Sequence, residues 1–346
     1  MPGTIFKNFK PREGWKVIET IEMHTCGEPL RIFISGLPEI KGDTILEMRR
    51  HFRENHDFIR RATMFEPRGH ADMYGAVITP PVSEGSAFGT FFMHNEGYST
   101  MCGHAVIALG RLAAESGMVE TTNGKAELII DAPPGRIRCV VTMRGDRAES
   151  VSFRNIPSFL LYSDRLIDVP GIGKIRFDVA YGGAFYAFVN AEDIGVKLEG
   201  NDIHRLIDYG RRIKRAVAEE YPITHPFEDD LGFLYGTIFT GDSYDKGHWS
   251  RNVCIFADGE VDRSPTGSGL SARAALHYAK GELLRGEKVT IESILGTTMD
   301  LEIVEVAEWG GYTAVIPEVT GTSSFTGSNR IWIDPDDELA GGFLIR

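Results

Sequence analysis

Cysteine is scarce in this chain. Cys26, Cys102, Cys139 and Cys254 are four in 346 residues, too few for a disulfide framework in a chain long enough to build its own core. A reducing compartment keeps them as thiols, and each then needs its own explanation. Long apolar runs are missing as well. None approaches the roughly 20 residues of a membrane helix, and the opening Met1-Pro-Gly-Thr-Ile-Phe-Lys-Asn-Phe-Lys carries no apolar signal core. Both absences point to the cytoplasm and away from a membrane. Basic residues are outnumbered, 37 Lys and Arg against 49 Asp and Glu for a net charge of −12, which argues against nucleic acid as a partner. The phosphate loop G-x-x-x-x-G-K-[ST] is absent, as are H-E-x-x-H and G-x-S-x-G. Tyr181-Gly-Gly-Ala is not followed by a helix of the dinucleotide-binding type, so nothing calls for a nicotinamide, a pyridoxal or any other cofactor. The pairs His24-Thr-Cys26 and Cys102-Gly-His104 are spaced too tightly for structural zinc, and no metal is expected.

Hydrophobic residues make up 42% of the chain, enough for a substantial core. Residues 1–14 read as a loose arm, with Pro2, Gly3, Pro11 and Gly14 among charged residues. Short apolar runs follow, among them Ala76-Val-Ile, Ala87-Phe-Gly-Thr-Phe-Phe-Met, Glu127-Leu-Ile-Ile, Ala184-Phe-Tyr-Ala-Phe-Val and Val253-Cys-Ile-Phe. Gly, Pro and Asp turns separate them, as expected of strands. Ile45–Ala62 and Ile203–Glu220 are charged and amphipathic and predict surface helices. Ala105–Ser116 and Leu270–Lys280 are rich in Ala and Leu and poor in charge, which suits helices buried inside a β shell.

Those two buried helices expose an internal repeat. Ser99-Thr-Met-Cys-Gly-His-Ala precedes the first and Arg263-Ser-Pro-Thr-Gly-Ser-Gly the second. An offset of 164 sets Cys102 against Thr266, and also matches Thr100 with Ser264, Gly103 with Gly267 and Gly117 with Gly281. A hydroxyl residue as N-cap, a Gly in the first turn and a Gly stop form one set of helix signals used twice. The expected fold is α/β, of the α+β kind: two similar halves, each a curled sheet around a central helix, facing each other across a cleft. The first half spans 15–160 with a C-terminal segment at about 336–346, and the second spans 161–335.

On this reading Cys102 and Thr266 each stand near the second position of a helix, Thr266 after Pro265 at the favoured first position. Free N–H groups and the positive end of the helix dipole emerge there. A thiol in that place is expected to have a lowered pKa, and a substrate carboxylate can lie on the N–H groups of Gly103, His104, Gly267 and Ser268. A cysteine in a helix is more often core filler. Gly103 allows close backbone approach, however, His104 can tune a thiolate, and His94-Asn-Glu-Gly-Tyr-Ser-Thr is a poor core sequence. Thr266 serves either as a cap or as a site residue. Asp262 either turns the loop or holds a substrate ammonium group. Cys139 and Cys254 read as strand packing, and Cys26 lies near the expected cleft. The reading requires Cys102 and Thr266 to be close together, with the sulfur open to solvent.

These residues fall within longer motifs: Met23-His-Thr-Cys-Gly-Glu-Pro, Glu66-Pro-Arg-Gly-His-Ala-Asp-Met-Tyr-Gly, Met101-Cys-Gly-His, Asp262-Arg-Ser-Pro-Thr-Gly-Ser-Gly and the tail from Gly327 to Phe343. From about Val17 onward the chain resembles the proline racemase family. The resemblance implies a fold like diaminopimelate epimerase, no cofactor, a small imino-acid substrate and a homodimer. In the family's racemases and epimerases a cysteine begins each of the two helices, whereas this sequence has Thr266 at the second. That departure, with the Phe233-Leu-Tyr-Gly-Thr-Ile stretch, resembles the family's dehydratases of trans-3-hydroxy-L-proline. Cys26 stands where relatives usually have Gly. The implied chemistry is removal of the C2 proton by Cys102 and loss of the 3-hydroxyl as water, with an epimerase or a non-catalytic imino-acid-binding protein as the alternatives.

Overall fold

In the computed structural model, residue 3 and residues 7–345 are described; the expected arm over 1–14 lies partly outside them. Strand after strand alternates buried and exposed side chains, as Gly135–Arg144 does, because successive side chains of a strand point to opposite faces. In the second half the strands Ser158–Val169, Gly173–Tyr181, Phe185–Asn190, Leu234–Gly241, Ser250–Phe256, Lys288–Glu292, Thr298–Trp309 and Tyr312–Gly321 pair in succession. Tyr312–Gly321 then pairs back with Ser158–Val169, closing a barrel. The first half repeats this course from Lys16–Thr25 to Arg147–Arg154. One continuous stretch seals it: Glu318–Gly321 pairs with Val151–Arg154, and Ser323–Ile333 pairs with Lys16–Thr25. The chain therefore re-enters the first half at Thr322, ahead of the expected boundary at 335, because the ladder with the first strand is already hydrogen-bonded at Ser323.

The helices are α1 (Ile45–Met64), α2 (Gly103–Glu115), α3 (Ile203–Glu220) and α4 (Gly267–Ala279). α1 and α3 each cross between two parallel strands on the outside of their half. Both are amphipathic, and α1 begins with a capping box in which Thr44 and Glu47 satisfy each other's backbone N–H groups. The strand Phe88–His94 is buried throughout because both of its faces are covered. Phe88 and Phe92 join the core around α2, while Phe91 and Met93 pack with α1, where the Phe52 and Phe91 rings lie 5.3 Å apart.

α2 and α4 are the barrel cores. Each has 13 residues, and each is followed by a glycine in the left-handed region, Gly117 and Gly281, both at φ 73°, where a side chain would be strained. The repeat thus holds at helix length and stop. Its expected caps do not hold. The N-caps are Cys102 and Thr266 themselves, not Thr100 and Ser264. The Thr100 hydroxyl instead donates to the Gly183 carbonyl, and Ser264 Oγ accepts from the Thr266 N–H. Pro265 consequently precedes the cap rather than opening the helix.

The two helix starts touch. A Cβ built on Gly103 would fall 2.6 Å from Gly267 Cα, and one on Gly267 would fall 2.9 Å from Gly103 Cα, with Phe153 closing the side. Alanine normally stabilises a helix relative to glycine. Here the sign reverses: Gly103→Ala is expected to lower stability by about 1–3 kcal/mol, the usual cost of overpacking, as measured by the shift of the urea midpoint at unchanged m-value.

Candidate active site

The contact between α2 and α4 brings their caps to one cavity. It is a small cavity, with room for only about 20 Å³ as it stands. Cys102, Gly103, His104, Asp262, Thr266, Gly267 and Ser268, all singled out from the sequence, line it. Cys102 and Thr266 are 3% and 4% exposed, so the sulfur reaches this cavity rather than bulk solvent, in contrast to the expected openness.

Cys102 Sγ accepts the Ala105 N–H at 3.3 Å and lies 3.1 Å from His104 Nδ1. The expected lowering of its pKa is overturned: burial pushes the thiol well above its usual range, and the nearby Asp262 and Glu28 carboxyls add to the rise. The Ala105 N–H and the Tyr74 hydroxyl oppose them without prevailing. Burial drives His104 the other way, down to about 3, with the Arg263 charge assisting. The imidazole is therefore neutral, with the Pro29 carbonyl beside its ring.

Opposite the thiol, the Thr266 backbone has φ 69°, a region that costs a β-branched residue about 1–3 kcal/mol. The loop before it holds that shape. Asp262 Oδ1 accepts the Ser264 N–H at 2.7 Å, Ser264 Oγ accepts the Thr266 N–H at 3.1 Å, and Asn252 Nδ2 donates to the Pro265 carbonyl. Thr266 Oγ1 is buried with no partner at hydrogen-bond distance, beside the Asp262 carboxyl and the Cys254 thiol. Asp262 is buried as well, and burial raises its pKa despite the neighbouring Ser264 and Thr266 hydroxyls. The loop is clasped from the first half by Glu28, which accepts the Arg263 N–H at 2.8 Å and pairs with its guanidinium at 3.1 Å.

Sequence reasoning missed six lining residues: Tyr74, Met101, Tyr186, Tyr235, Cys254 and Phe256. Tyr74, Met101 and Tyr235 lie inside the motifs quoted above, but without a role of their own. Cys254 was expected to be packing, and it faces the cavity because it sits directly opposite Asp262 in the ladder of Ser250–Phe256 with Glu260–Asp262. Cys139, in contrast, is fully buried in the core. Cys26 does not line the cavity; its thiol donates to the Thr298 carbonyl at 3.3 Å, and burial raises its pKa to about 11. Among the described residues no group of three or more His, Cys, Asp and Glu is placed to hold a metal ion.

Two closed halves, each wrapped on a helix, with the helix starts flanking one small buried cavity, define an enzyme architecture of the epimerase kind. A solved hydroxyproline epimerase from Agrobacterium vitis with bound trans-4-hydroxy-L-proline superposes with a TM-score of 0.91 at 27% identity, covering 96% of each chain. Residues 20–344 match the family described as proline racemase. The chain belongs to that family. A trans-3-hydroxy-L-proline dehydratase of Colwellia psychrerythraea is 48% identical over 99% of this chain and 97% of its own. The human protein of the same name is 45% identical over 96% of both chains.

Because burial outweighs the helix terminus at Cys102, its thiolate forms only in alkaline solution when the cavity holds no ligand. The difference in absorbance at 240 nm between wild type and Cys102→Ser should titrate with a midpoint above the ~8.5 of a free cysteine. A midpoint below that value would contradict the electrostatics described here.

Proposed function

We propose that this chain is a cofactor-independent hydro-lyase that removes water from trans-3-hydroxy-L-proline, with Cys102 as the base. The observation that carries the reading is the asymmetry of the cavity: a thiol caps one helix, and an unpartnered alcohol, Thr266, caps the other. Epimerisation needs a second group to return a proton on the opposite face. A thiol near pKa 8.5 can do this around neutrality, and an aliphatic alcohol is far too weak an acid. The relatives named dehydratases support the same choice.

The substrate carboxylate lies on the N–H groups of Gly103, His104, Gly267 and Ser268, the first two positions of each helix, where no intrahelical carbonyl can satisfy them. Asp262 holds the ring ammonium. That ammonium offsets the burial that keeps the Cys102 thiol protonated, since a nearby positive charge favours the thiolate. Cys102 takes the C2 proton while the helix termini stabilise the enolate-like charge. The electron pair released at C2 forms the C2–C3 double bond, the C3–O bond breaks, and the 3-hydroxyl leaves as water. The enamine then tautomerises to Δ1-pyrroline-2-carboxylate.

The four cysteines are all unpaired, which fits a reducing cytoplasm. Among the described residues no helix is long and apolar enough to cross a membrane. A homodimer is the assembly the family resemblance implies, and light scattering of the purified protein tests it.

The decisive assay offers the 3- and 4-hydroxyproline isomers and proline in deuterated water. It should yield the cyclic imine from trans-3-hydroxy-L-proline alone, without the deuterated opposite C2 epimer of any of them. Cys102→Ser should reduce turnover by about 10³-fold, within the range for loss of a general base, with the circular dichroism spectrum unchanged. Thr266→Cys supplies the missing acid and should create deuterium-incorporating C2 epimerisation of 4-hydroxyproline. Its failure to do so would separate the chemistry from the identity of the second cap.

A further inference from the structure

We propose that Tyr235 gives its phenolic proton to the departing 3-hydroxyl. The inference rests on the dehydratase reading above and assigns the one proton transfer which that reading leaves without a donor.

Stereochemistry decides which side of the cavity must supply the donor. In trans-3-hydroxy-L-proline the hydroxyl at C3 and the carboxylate at C2 lie on opposite faces of the ring. The C2 hydrogen is also opposite the carboxylate, so the hydrogen and the hydroxyl share a face. A base that takes the C2 hydrogen approaches that face. The leaving oxygen is then on the Cys102 side of the substrate, turned away from Thr266. Thr266 is also the weaker acid, because an alcohol resembles water at about 15.7 whereas a phenol titrates near 10.

Three tyrosines line the cavity; the Tyr74 hydroxyl stands beside the Cys102 sulfur, and Tyr235 stands beside Tyr74. The Tyr74 hydroxyl is bonded to Ser99 Oγ, and the Tyr186 hydroxyl to Ser268 Oγ at 2.7 Å. The Tyr235 hydroxyl is buried with no partner at hydrogen-bond distance; the Tyr74 hydroxyl stands beside it but is engaged with Ser99 Oγ. A buried hydroxyl left unmatched costs about 1–3 kcal/mol, and a native protein carries such a group where a ligand completes it. Its ring cannot drift from the cavity: Phe256 stacks on it at 5.5 Å and Tyr186 meets it edge-on at 5.8 Å. His104 is no competitor, because burial keeps its imidazole neutral and a neutral imidazole N–H is a weaker acid than a phenol.

The step balances without an outside reagent. The thiolate of Cys102 becomes a thiol as the C2–H bond breaks, and the C3–O bond breaks as Tyr235 O–H passes its proton to the oxygen. Water leaves, and a phenolate remains opposite a thiol. The Tyr74 hydroxyl neighbours both the Cys102 sulfur and the Tyr235 phenolic oxygen, so it can pass the proton from sulfur back to phenolate and reset the site.

Two leaving groups test the proposal, because fluoride departs readily without a proton while hydroxide does not. Tyr235→Phe should lower dehydration of trans-3-hydroxy-L-proline by about 100-fold or more, the scale of a lost general acid. The same variant should release fluoride from trans-3-fluoro-L-proline at a rate close to wild type, which also shows that it folds and binds. Undiminished dehydration, or an equal loss with both substrates, would overturn the assignment. Cys102→Ser is the companion measurement. It should lose elimination from both substrates, and retention of fluoride release there would count against the base and leave the donor to be judged on Tyr235→Phe alone.

Discussion

The structure depends on one contact, the meeting of two helix N-termini at Gly103 and Gly267. Each terminus carries roughly half a positive charge on N–H groups that have no partner within the helix. Bringing two such ends together is unfavourable by itself, and each barrel is built to hold its helix there. α2 consists largely of Ala, Gly, Val, Leu and Ile because the strands close around it, and even Gly110 has room for nothing larger, a Cβ there falling 2.9 Å from Val151. The strain at Thr266 and the Glu28–Arg263 clasp serve the same end from the side of α4. An anion between the termini relieves the repulsion, so the fold itself prepares a seat for a carboxylate without a cationic side chain.

The part of this arrangement written in local signals was legible in the sequence. The repeated Gly stops at 117 and 281 and the charge-poor faces of α2 and α4 are short-range features, and they gave the pairing of Cys102 with Thr266. The cap positions were not legible. They depend on backbone angles, an extended Cys102 and a left-handed Thr266, whereas propensity favours the hydroxyls at Thr100 and Ser264. The lining residues were hidden for another reason. A strand side chain is buried alike whether it faces solid core or a cavity, so Tyr235 and Cys254 read like Tyr181 and Cys139. Only the three-dimensional course of the strands separates them. The return at Thr322 was obscured in the same way, since Tyr312–Gly321 and Ser323–Ile333 are a single extended run serving two ladders.

The pKa of Cys102 is the place where a correct local argument gave the wrong sign. A helix terminus contributes about 0.3–1 kcal/mol, rarely 2, which is roughly one pKa unit at 1.36 kcal/mol each. Full burial shifts a group by up to 3–5 units. The position of a residue at a helix start can be read from sequence, and its depth beneath two barrels cannot, so the smaller effect was visible and the larger one was not.

That imbalance has a chemical use. Burial disfavours charge on the acids at this cavity: Cys102, Asp262, Glu28 and the tyrosines are all shifted toward their neutral forms. Under the function proposed above, a zwitterionic imino acid alters the balance on entry, its carboxylate answering the helix termini and its ammonium answering Asp262 and the sulfur. On that proposal, charge on the base is tied to occupancy by a substrate of the right polarity. A buried thiol that ionises only beside its substrate is shielded from the oxidants that attack exposed low-pKa cysteines, and the same burial strengthens each hydrogen bond made to the reacting atoms.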